Sequence, residues 1–283
     1  MIKLGVNTFI WSASFDQTCI DRLPAIKDHG FDGVEVPLFR PAEFPAKQIR
    51  QLCEARDLER TVCSVLVQGF SLIDEDRSVR QKTQAHLTDV IAATADAGAH
   101  LVAGPLYCPV GYLPGRRRTG DEWKWAIEAY QAVGDALAAN DVTLAIEPLN
   151  RFETYFLNTA ADARKLADAV HHPRVKILYD TFHSNIEEKS IAAGLELVGD
   201  QLGHVHTCEN DRGIPGSGHV EWGDVFRALQ RVGYHGWWTI ESFGFALGDL
   251  SAAAAIWRDI ESSPDAIAFE GVKFLQARRA AYV

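Results

Sequence analysis

Apolar stretches with strand character alternate with stretches of helical periodicity along the whole chain. Short β-branched or apolar runs, such as residues 61–67, predict strands, and apolar residues recurring every three to four positions, as in residues 78–97, predict helices. Gly30 and Gly98 follow two helical stretches, where glycine commonly ends a helix. The predicted strands are residues 2–9, 33–39, 61–67, 101–107, 142–149, 175–181, 203–208 and 236–242. The predicted helices are residues 15–29, 46–56, 78–97, 121–139, 159–170, 191–200 and 221–232, then two from Ser251 onward that divide near residues 262–264.

This alternation predicts a barrel. Several strands, such as residues 142–146 and 175–178, are apolar without strict alternation, as expected for strands covered on both faces. An open doubly wound sheet also alternates, but the turn after the first strand, residues 8–12, lacks a glycine-rich phosphate loop. Eight strand–helix units in 283 residues are typical of a (β/α)8 TIM barrel, an α/β fold. We therefore expect one TIM-barrel domain over residues 1–283 with an extra C-terminal helix.

Composition and charge argue against a nucleic-acid-binding protein and a membrane protein. The chain is 47% hydrophobic and 23% charged, as is ordinary for a soluble enzyme, and its net charge of −10 argues against a nucleic-acid partner. No apolar run approaches the roughly 20 residues that cross a membrane, and the first strand begins too early for a signal peptide. The five cysteines form no CxxC pair, which favours free thiols in a reducing compartment. We expect a cytoplasmic protein with no membrane partner.

Polar groups end five of the predicted strands, each after an apolar run: Glu35, Glu147, Asp180, His206 and Glu241. One such carboxylate is more often a helix cap or a surface residue. In a barrel, however, these ends meet at one face, and carboxylates crowded there repel one another unless a cation joins them. Two glutamates, an aspartate and a histidine suit Mn²⁺, Mg²⁺ or a similar divalent ion. The predicted metal ligands are Glu147, Asp180, His206 and Glu241.

Nearby polar residues complete the predicted site. Glu35 and His204 are expected to support the ligands, since His204 lies one layer deeper than its neighbour on the same strand face. Glu153, His183 and Arg212 follow predicted ligands by six, three and six residues. Loops should place these three above the metal, where a substrate would bind. The alternative interpretation is a network of helix caps and loop salt bridges.

The residue set favours proton transfer next to a carbonyl. The sequence has no nucleophile elbow, no phosphate loop and no Cys–His pair at a familiar spacing. A metal chelated by a carbonyl and the neighbouring hydroxyl acidifies the C–H between them and stabilises a cis-enediolate. Glu147 and Glu241, on opposite sides of the barrel mouth, can remove that proton and return it to the other face. If the proton returns to the carbonyl carbon instead, the same site is an aldose–ketose isomerase.

Several stretches together resemble the D-tagatose/D-psicose (ketose) 3-epimerases, a family of xylose-isomerase-like TIM barrels. They are Glu-Pro-Leu-Asn-Arg-Phe-Glu at residues 147–153, Asp-Thr-Phe-His-Ser-Asn-Ile-Glu-Glu at 180–188, Gly-His-Val-His at 203–206 and Ile-Glu-Ser-Phe at 240–243, with Gly5, Trp11, Ser12 and residues 256–259 at the two ends. The likeness runs in order along essentially the whole chain.

The resemblance assigns a role to each site residue. It implies Glu147, Asp180, His206 and Glu241 as metal ligands, with Glu147 and Glu241 as the acid–base pair. It implies that His183 and Arg212 hold the ketose near O2 and that Glu153 holds its terminal O1, with Trp11 and Phe243 as remaining substrate walls. The family further implies one divalent metal per subunit, Mn²⁺ or else Co²⁺ or Mg²⁺, in homodimers or homotetramers.

The substrate walls depart from the family. Asn7 stands where the family carries an aromatic residue, and Cys108-Pro109-Val110 replaces a tryptophan expected after the fourth strand. The identity of the sugar therefore stays open. So do a hydroxypyruvate or keto-inositol type isomerase, a 3-keto-glycoside eliminase and a non-enzymatic sugar-binding protein. A DNA-repair endonuclease IV would need a richer histidine set. The Arg116-Arg117-Arg118 run, in the loop expected over the barrel mouth, is either a solvated loop or subunit contact, or a grip on a substrate phosphate or carboxylate.

Overall fold

Eight parallel strands close into one barrel in the computed structural model, which describes residues 1–244 and 248–282. Within those residues each strand pairs with the next along the chain, and the last pairs with the first. The TIM-barrel prediction is confirmed. The strands are β1 (Lys3–Asn7), β2 (Gly33–Pro37), β3 (Glu59–Cys63), β4 (Leu101–Gly104), β5 (Thr143–Ile146), β6 (Val175–Asp180), β7 (Leu202–His206) and β8 (Trp237–Ile240).

Helices connect the strands and cover the outside of the barrel. In the described residues they are α1 (Gln17–Asp28), α2 (Ala46–Glu54), α3 (Arg77–Asp96), α4 (Gly120–Ala132), α5 (Gly134–Ala139), α6 (Ala160–Val170), α7 (Thr181–Glu187), α8 (Ile191–Val198), α9 (Trp222–Arg231), α10 (Asp249–Ala253) and α11 (Pro264–Ala280). The extra C-terminal helix, α11, packs against β1 and β8 through buried residues including Ile267 and Leu275.

Close strand packing requires glycine at two positions of the barrel. A Cβ on Gly33 would lie 2.5 Å from the carbonyl oxygen of Glu59 on the next strand. Gly104, at the end of β4, has a φ of +139°, and a Cβ there would lie 2.1 Å from the carbonyl oxygen of Ser64. Since both clashes are with backbone, no side-chain movement relieves them. Gly33 allows this close approach where β2 begins, and Gly104 allows it where β4 ends, at the face that carries the site.

The C-terminal region differs from the predicted pair of helices. The first, α10, ends at Ala253, and Ala255 has a left-handed φ of 54°, which interrupts helical geometry. Residues 254–263 are not helical, so the prediction of helix from Ser251 onward was wrong there. The second helix begins where Ser263 caps it by accepting a hydrogen bond from the backbone of Ala266.

Two further boundaries differ from the pattern. The predicted helix over residues 121–139 is divided into α4 and α5, because Val133 takes a non-helical conformation and ends the first. In addition, α7 follows β6 directly, although its sequence shows little helical periodicity. The carboxylate of Asp180 starts this helix by accepting hydrogen bonds from the backbone of Phe182 and His183, at 2.6 and 3.3 Å.

Candidate metal centre and active site

The ends of four consecutive strands bring the predicted ligands together. Asp180 and His206 end β6 and β7 and are paired in the sheet, while Glu147 and Glu241 directly follow β5 and β8. Each is at most 7% exposed. One donor atom from each of the four lies within 4.8 Å of the others. We refer to these four residues as the ligand cluster.

Glu35 lies beneath the ligand cluster and orients its histidine. The Glu35 carboxylate lies 2.7 Å from His206 Nε2 and 2.8 Å from His204 Nε2, and it also accepts from Thr61 Oγ1 at 2.9 Å and Asn7 Nδ2 at 3.0 Å. Burial opposes ionisation of Glu35, but the two imidazoles outweigh it and hold its pKa well below the usual range. Glu35 and His204 thus occupy the supporting positions expected for them.

The ligand cluster contains two buried atoms with no hydrogen-bond partner among the described residues. They are Nδ1 of His206 and Oε1 of Glu147, which lie 3.9 Å apart. In the neutral imidazole whose Nε2 donates to Glu35, Nδ1 carries the lone pair, and this atom lies 3.3 Å from Glu241 Oε2 and 3.6 Å from Asp180 Oδ2. Lone pairs converging on one buried point are what a divalent cation needs.

The electrostatics of the ligand cluster also favour an added positive charge. Burial and the neighbouring Glu241 raise the pKa of Glu147 well above the usual glutamate value. Burial opposes the protonation of His206, yet Glu241 and Glu35 raise its pKa well above the usual value. Both shifts show that negative charge is crowded here and incompletely balanced. The donor set and its charge therefore fit a divalent metal.

Arg212 reaches the ligand cluster from the loop after β7. Its Nη1 lies 2.9 Å from Asp180 Oδ2 and 2.9 Å from Glu241 Oε2, and its guanidinium lies 4.1 Å from the centre of the Phe182 ring. Burial opposes ionisation of Asp180, but Arg212 outweighs it and holds the Asp180 pKa well below the usual value. The residue predicted to bind substrate therefore also contacts two predicted ligands.

A cavity of about 730 Å³, counted to its open mouth, lies above the ligand cluster. Glu147, Glu153, His183, His206, Arg212, Glu241 and Phe243, all singled out from the sequence, line it. The rest of the lining is largely apolar and includes Phe9, Phe39, Val110 and Leu250. The cavity thus has a charged, buried floor and aromatic walls, as suits a small polyol with one polar and one hydrocarbon face.

Comparison with known proteins places this site in a family. The sequence model of the xylose isomerase-like TIM barrel matches residues 23–278. The chain is 38% identical to a probable ketose 3-epimerase of Synechocystis sp., over 97% of this chain and 96% of that protein. It is 31% identical to an L-ribulose 3-epimerase of Mesorhizobium japonicum, over 99% and 97%.

The chain belongs to the ketose 3-epimerase family of xylose isomerase-like TIM barrels. Its fold matches that of a D-allulose 3-epimerase from Methylomonas sp., solved in complex with D-allulose, with a TM-score of 0.92. That match has 26% sequence identity and covers 98% of this chain and 97% of the other. As a ketose 3-epimerase family member, the protein is an enzyme of the isomerase class.

One predicted substrate wall lies elsewhere in this ketose 3-epimerase family member. The Trp11 indole does not line the cavity; its Nε1 donates to Asp265 at 2.6 Å, and its ring packs against Phe269 of the C-terminal helix. These contacts give no support to Trp11 as a substrate wall. Phe9 occupies the wall instead, stacked against Phe243 with ring centres 5.5 Å apart. Phe9 and Trp11 are only two positions apart, but because of the turn after β1 their side chains point in different directions.

Asn7, noted as a departure from the family, supports the floor of the cavity. Its Nδ2 lies 3.0 Å from Glu35 Oε1 and 3.4 Å from Glu241 Oε1, so it connects the two carboxylates. Of the other departure, residues 108–110, only Val110 lines the cavity. Asn7 therefore contacts the ligand cluster from below, Val110 lines the cavity, and both departures leave the ligand cluster in place.

The arginine run lies outside the cavity. Arg116 makes a two-pronged ion pair with Glu122, and Arg118 makes another with Asp162. Neither arginine, nor Arg117, is among the described residues that line the cavity. These contacts give no support to a grip on a substrate phosphate or carboxylate, and the choice between a solvated loop and a subunit contact stays a prediction.

Two residues important to the site escaped the sequence reasoning. Glu209 is fully buried and accepts hydrogen bonds from the backbone of Gly216 and Val220 and from Trp222 Nε1, at 2.8 to 2.9 Å, so it holds together the loop that carries Arg212. Asn150 contacts both His183 and Glu153. Both directly follow predicted strands, residues 203–208 and 142–149, so the pattern that located the ligand cluster could have identified them.

The remaining general expectations concern thiols and membranes. All five cysteines are free and buried. No helix in the described parts of the chain combines the length and apolar character that crossing a bilayer requires.

Proposed function

We propose that this protein epimerises a free ketose at C3, with Glu147 and Glu241 as the two proton carriers. The observation that carries the proposal is that both carboxylates belong to the ligand cluster and both line the same cavity, one from β5 and one from β8. Two acid–base groups that reach one substrate carbon from different strands can act on its two faces. The relatives named ketose and L-ribulose 3-epimerase support this reaction.

The ligand cluster would hold one divalent metal per subunit. Glu147, Asp180, His206 and Glu241 are the residues for it, and the unpaired atoms of Glu147 and His206 support that assignment. When bound, the metal would withdraw electrons from the ketose carbonyl and the adjacent hydroxyl, which acidifies the C3–H bond. We propose Mn²⁺, with Co²⁺ or Mg²⁺ as alternatives, because oxygen-rich sites with one imidazole suit these ions.

The two glutamates exchange one proton each with C3. One carboxylate takes the C3 proton from one face, and the C3–H electron pair forms the cis-enediolate of the substrate. The other carboxyl group, protonated at that moment, delivers its proton to C3 from the opposite face. Since the two epimers differ only at C3, each glutamate acts as base in one direction of the reaction and as acid in the other.

The cavity walls would position the sugar. His183 and Arg212 line the cavity beside the ligand cluster and are proposed to hold the ketose near O2, while Glu153 holds its terminal O1. Phe243 and Phe9 supply aromatic surface for the carbon chain. Arg212 is the one arginine among the described lining residues and is already paired with carboxylates, which favours an unphosphorylated ketohexose or ketopentose.

Deuterium incorporation tests the reaction. The Mn²⁺-loaded enzyme is incubated with a panel of ketohexoses and ketopentoses in D₂O, and the products are examined by NMR. The proposal expects an epimerised product with deuterium at C3. Deuterium at C1 or C2 would indicate an aldose–ketose, hydroxypyruvate or keto-inositol type isomerase, and loss of a substituent would indicate a 3-keto-glycoside eliminase. No exchange with any ketose would overturn the proposal.

The Glu241→Gln variant separates catalysis from binding. We expect at least a 10²-fold loss of turnover, because the amide cannot carry the proton, with the ketose still bound in calorimetry. Unchanged turnover would refute the role of Glu241. Glu221→Gln is a matched control, since Glu221 is exposed and outside the cavity.

We further propose a cytoplasmic homodimer or homotetramer. Phe152 and Trp257 are 70% and 77% exposed, an unusual exposure for large aromatic side chains that supports association between subunits. Free, buried cysteines support a reducing compartment. Light scattering coupled to size-exclusion chromatography tests the assembly, and a monomeric mass at micromolar concentration would contradict it.

A further inference from the structure

Asn150 has a side-chain orientation that its contacts determine. Its Oδ1 accepts from the backbone N–H of Phe152 at 2.9 Å, and its Nδ2 donates to Glu153 Oε1 at 2.8 Å. If the oxygen and nitrogen of the amide were exchanged, the NH₂ group would face the backbone N–H of Phe152 and the oxygen would face the Glu153 carboxylate. Neither pair can form a hydrogen bond, so the assignment is unambiguous. Asn150 is 2% exposed, which makes both bonds costly to lose.

The same residue surrounds one nitrogen of His183 with donors. Nδ1 of His183 lies 3.1 Å from the backbone N–H of Asn150 and 3.0 Å from its Nδ2. A ring nitrogen can accept these hydrogens only when it carries a lone pair. The neutral imidazole of His183 therefore has its own hydrogen on Nε2.

The Nε2–H group of His183 then points toward a second donor. It lies 3.2 Å from Nη2 of Arg212, and the nearest carboxylate oxygen, Oε1 of Glu147, is 3.7 Å away. A guanidinium nitrogen has only hydrogens to offer, so the two groups cannot bond to each other. Two adjacent donors that both line the cavity are suited to one shared acceptor, an oxygen that bears or develops negative charge.

We propose that Asn150 is a positioning residue that fixes His183 as the Nε2–H tautomer, so that His183 and Arg212 together donate to one substrate oxygen. This inference rests on the proposed function, in which that oxygen is O2 of the ketose as the enediolate forms. His183 then acts as a neutral donor and takes no proton from carbon, which leaves proton transfer to Glu147 and Glu241. Through its bond to Glu153, Asn150 also fixes the distance between the two ends of the sugar-binding wall.

The tautomer can be measured without turnover. Enzyme labelled with [¹⁵N]histidine and loaded with diamagnetic Mg²⁺ is examined by long-range ¹H–¹⁵N NMR, and the His183 signals are assigned by their absence from a His183→Gln sample. We expect Nδ1 at the position of an unprotonated ring nitrogen and Nε2 at that of a protonated one. A protonated Nδ1 in the wild-type enzyme would overturn the proposal, whatever reaction the enzyme catalyses.

Substitution of Asn150 should change the tautomer. In Asn150→Asp, a carboxylate oxygen takes the place of the amide NH₂ group beside His183 Nδ1. Because a carboxylate can only accept a hydrogen bond, we expect the ring hydrogen of His183 to move to Nδ1. Asn158→Asp is the matched control: Asn158 donates to Leu149 and Thr154 in the same loop and does not contact His183. Its His183 signals should stay unchanged. An unchanged tautomer in Asn150→Asp would show that the backbone N–H alone sets it and would overturn the role of the side chain.

Kinetics separate this role from a structural one. We expect Asn150→Asp to lower kcat by about 10²-fold with a smaller change in KM, since the lost donor acts mainly on the charged form of the substrate. In a His183→Gln background, where a glutamine amide supplies the donor and no tautomer exists, the same substitution should have little effect. Equal losses in both backgrounds would indicate damage to the loop and contradict the proposal. Failure of the proposed epimerisation would instead appear as an absence of C3 exchange in the wild-type enzyme.

Discussion

Glu35 shows how one buried side chain determines what another can bind. Its two oxygens accept separately from the Nε2 atoms of His204 and His206, which leaves Nδ1 of His206 free to face the ligand cluster. A carboxylate is required because one acceptor atom is needed for each imidazole. Glu35 itself touches no cavity surface, so its effect on a bound metal acts through the orientation of His206.

We expect Glu35→Gln to weaken metal binding. The amide has a single acceptor oxygen, so one of the two histidines loses its partner and His206 is less firmly oriented. The affinity for Mn²⁺, measured by calorimetry, should fall by about 10–100-fold. Thr61→Val is the matched control, because it removes one hydrogen bond from Glu35 and leaves both histidines paired. An unchanged affinity in Glu35→Gln would show that His206 needs no such support.

At the scale of elements, Arg116 of the arginine run pairs with a residue in the first turn of α4. Glu122 closes a capping box with Thr119. Its carboxylate also accepts hydrogen bonds from Nη1 and Nη2 of Arg116 and from the Tyr155 hydroxyl. Burial opposes ionisation of Glu122, but the hydrogen bonds from Arg116, Thr119 and Tyr155 outweigh it and hold its pKa below the usual value of 4.5. The loop therefore depends on Arg116 for its conformation.

Glu122→Gln should lower stability in a pH-dependent way. Near neutral pH we expect a loss of about 2 kcal/mol in the free energy of unfolding, the value of hydrogen bonds to a charged group. The folded-state pKa lies below the unfolded value, so wild type has this stabilisation above about pH 4.3 and loses it as the pH falls through the folded-state pKa. The difference between the two proteins should therefore shrink in acid.

Urea unfolding at several pH values measures this difference. Glu128→Gln on the same helix is the control, since Glu128 makes only an exposed ion pair with Lys124, at 3.7 Å. It should change the free energy of unfolding by less than about 0.5 kcal/mol at any pH. A difference for Glu122→Gln that stays constant from neutral pH to pH 3 would contradict the argument.

At the scale of the whole molecule, the ligand cluster joins half of the barrel. Its members come from four consecutive strands, β5 to β8, so a cation bound there holds those strands to one another. The unfolded chain has no such arrangement of ligands. Metal binding should therefore be linked to global stability as well as to activity.

Adding Mn²⁺ should raise the melting temperature of the metal-free protein. At a free concentration of about 100 Kd, binding contributes about 2.7 kcal/mol, which corresponds to a rise of about 5 °C for a chain of this size. Asp180→Asn should show a much smaller rise, although its amide oxygen can still cap α7. Differential scanning calorimetry makes the comparison, and an equal rise in both proteins would place the metal elsewhere.

The sequence by itself determined the barrel and the four members of the ligand cluster. Strand and helix periodicity is local, and the meeting of strand ends at one face follows from any closed parallel barrel. Glu147, Asp180, His206 and Glu241 could therefore be located before their distances were known. The supporting positions of Glu35 and His204 followed from the same rules, because alternation along a strand fixes which residues share a face.

Only the tertiary structure decided what the loops do. Trp11 bonds to a residue 254 positions away, and Arg212 reaches carboxylates on two different strands. Asn150 meets His183 across 33 positions. Such contacts depend on the path of irregular backbone and on hydrogen bonds between distant residues, and no local periodicity encodes either. For this reason the ligand cluster could be predicted from the sequence, whereas the lining of the cavity and the contacts of His183 could not.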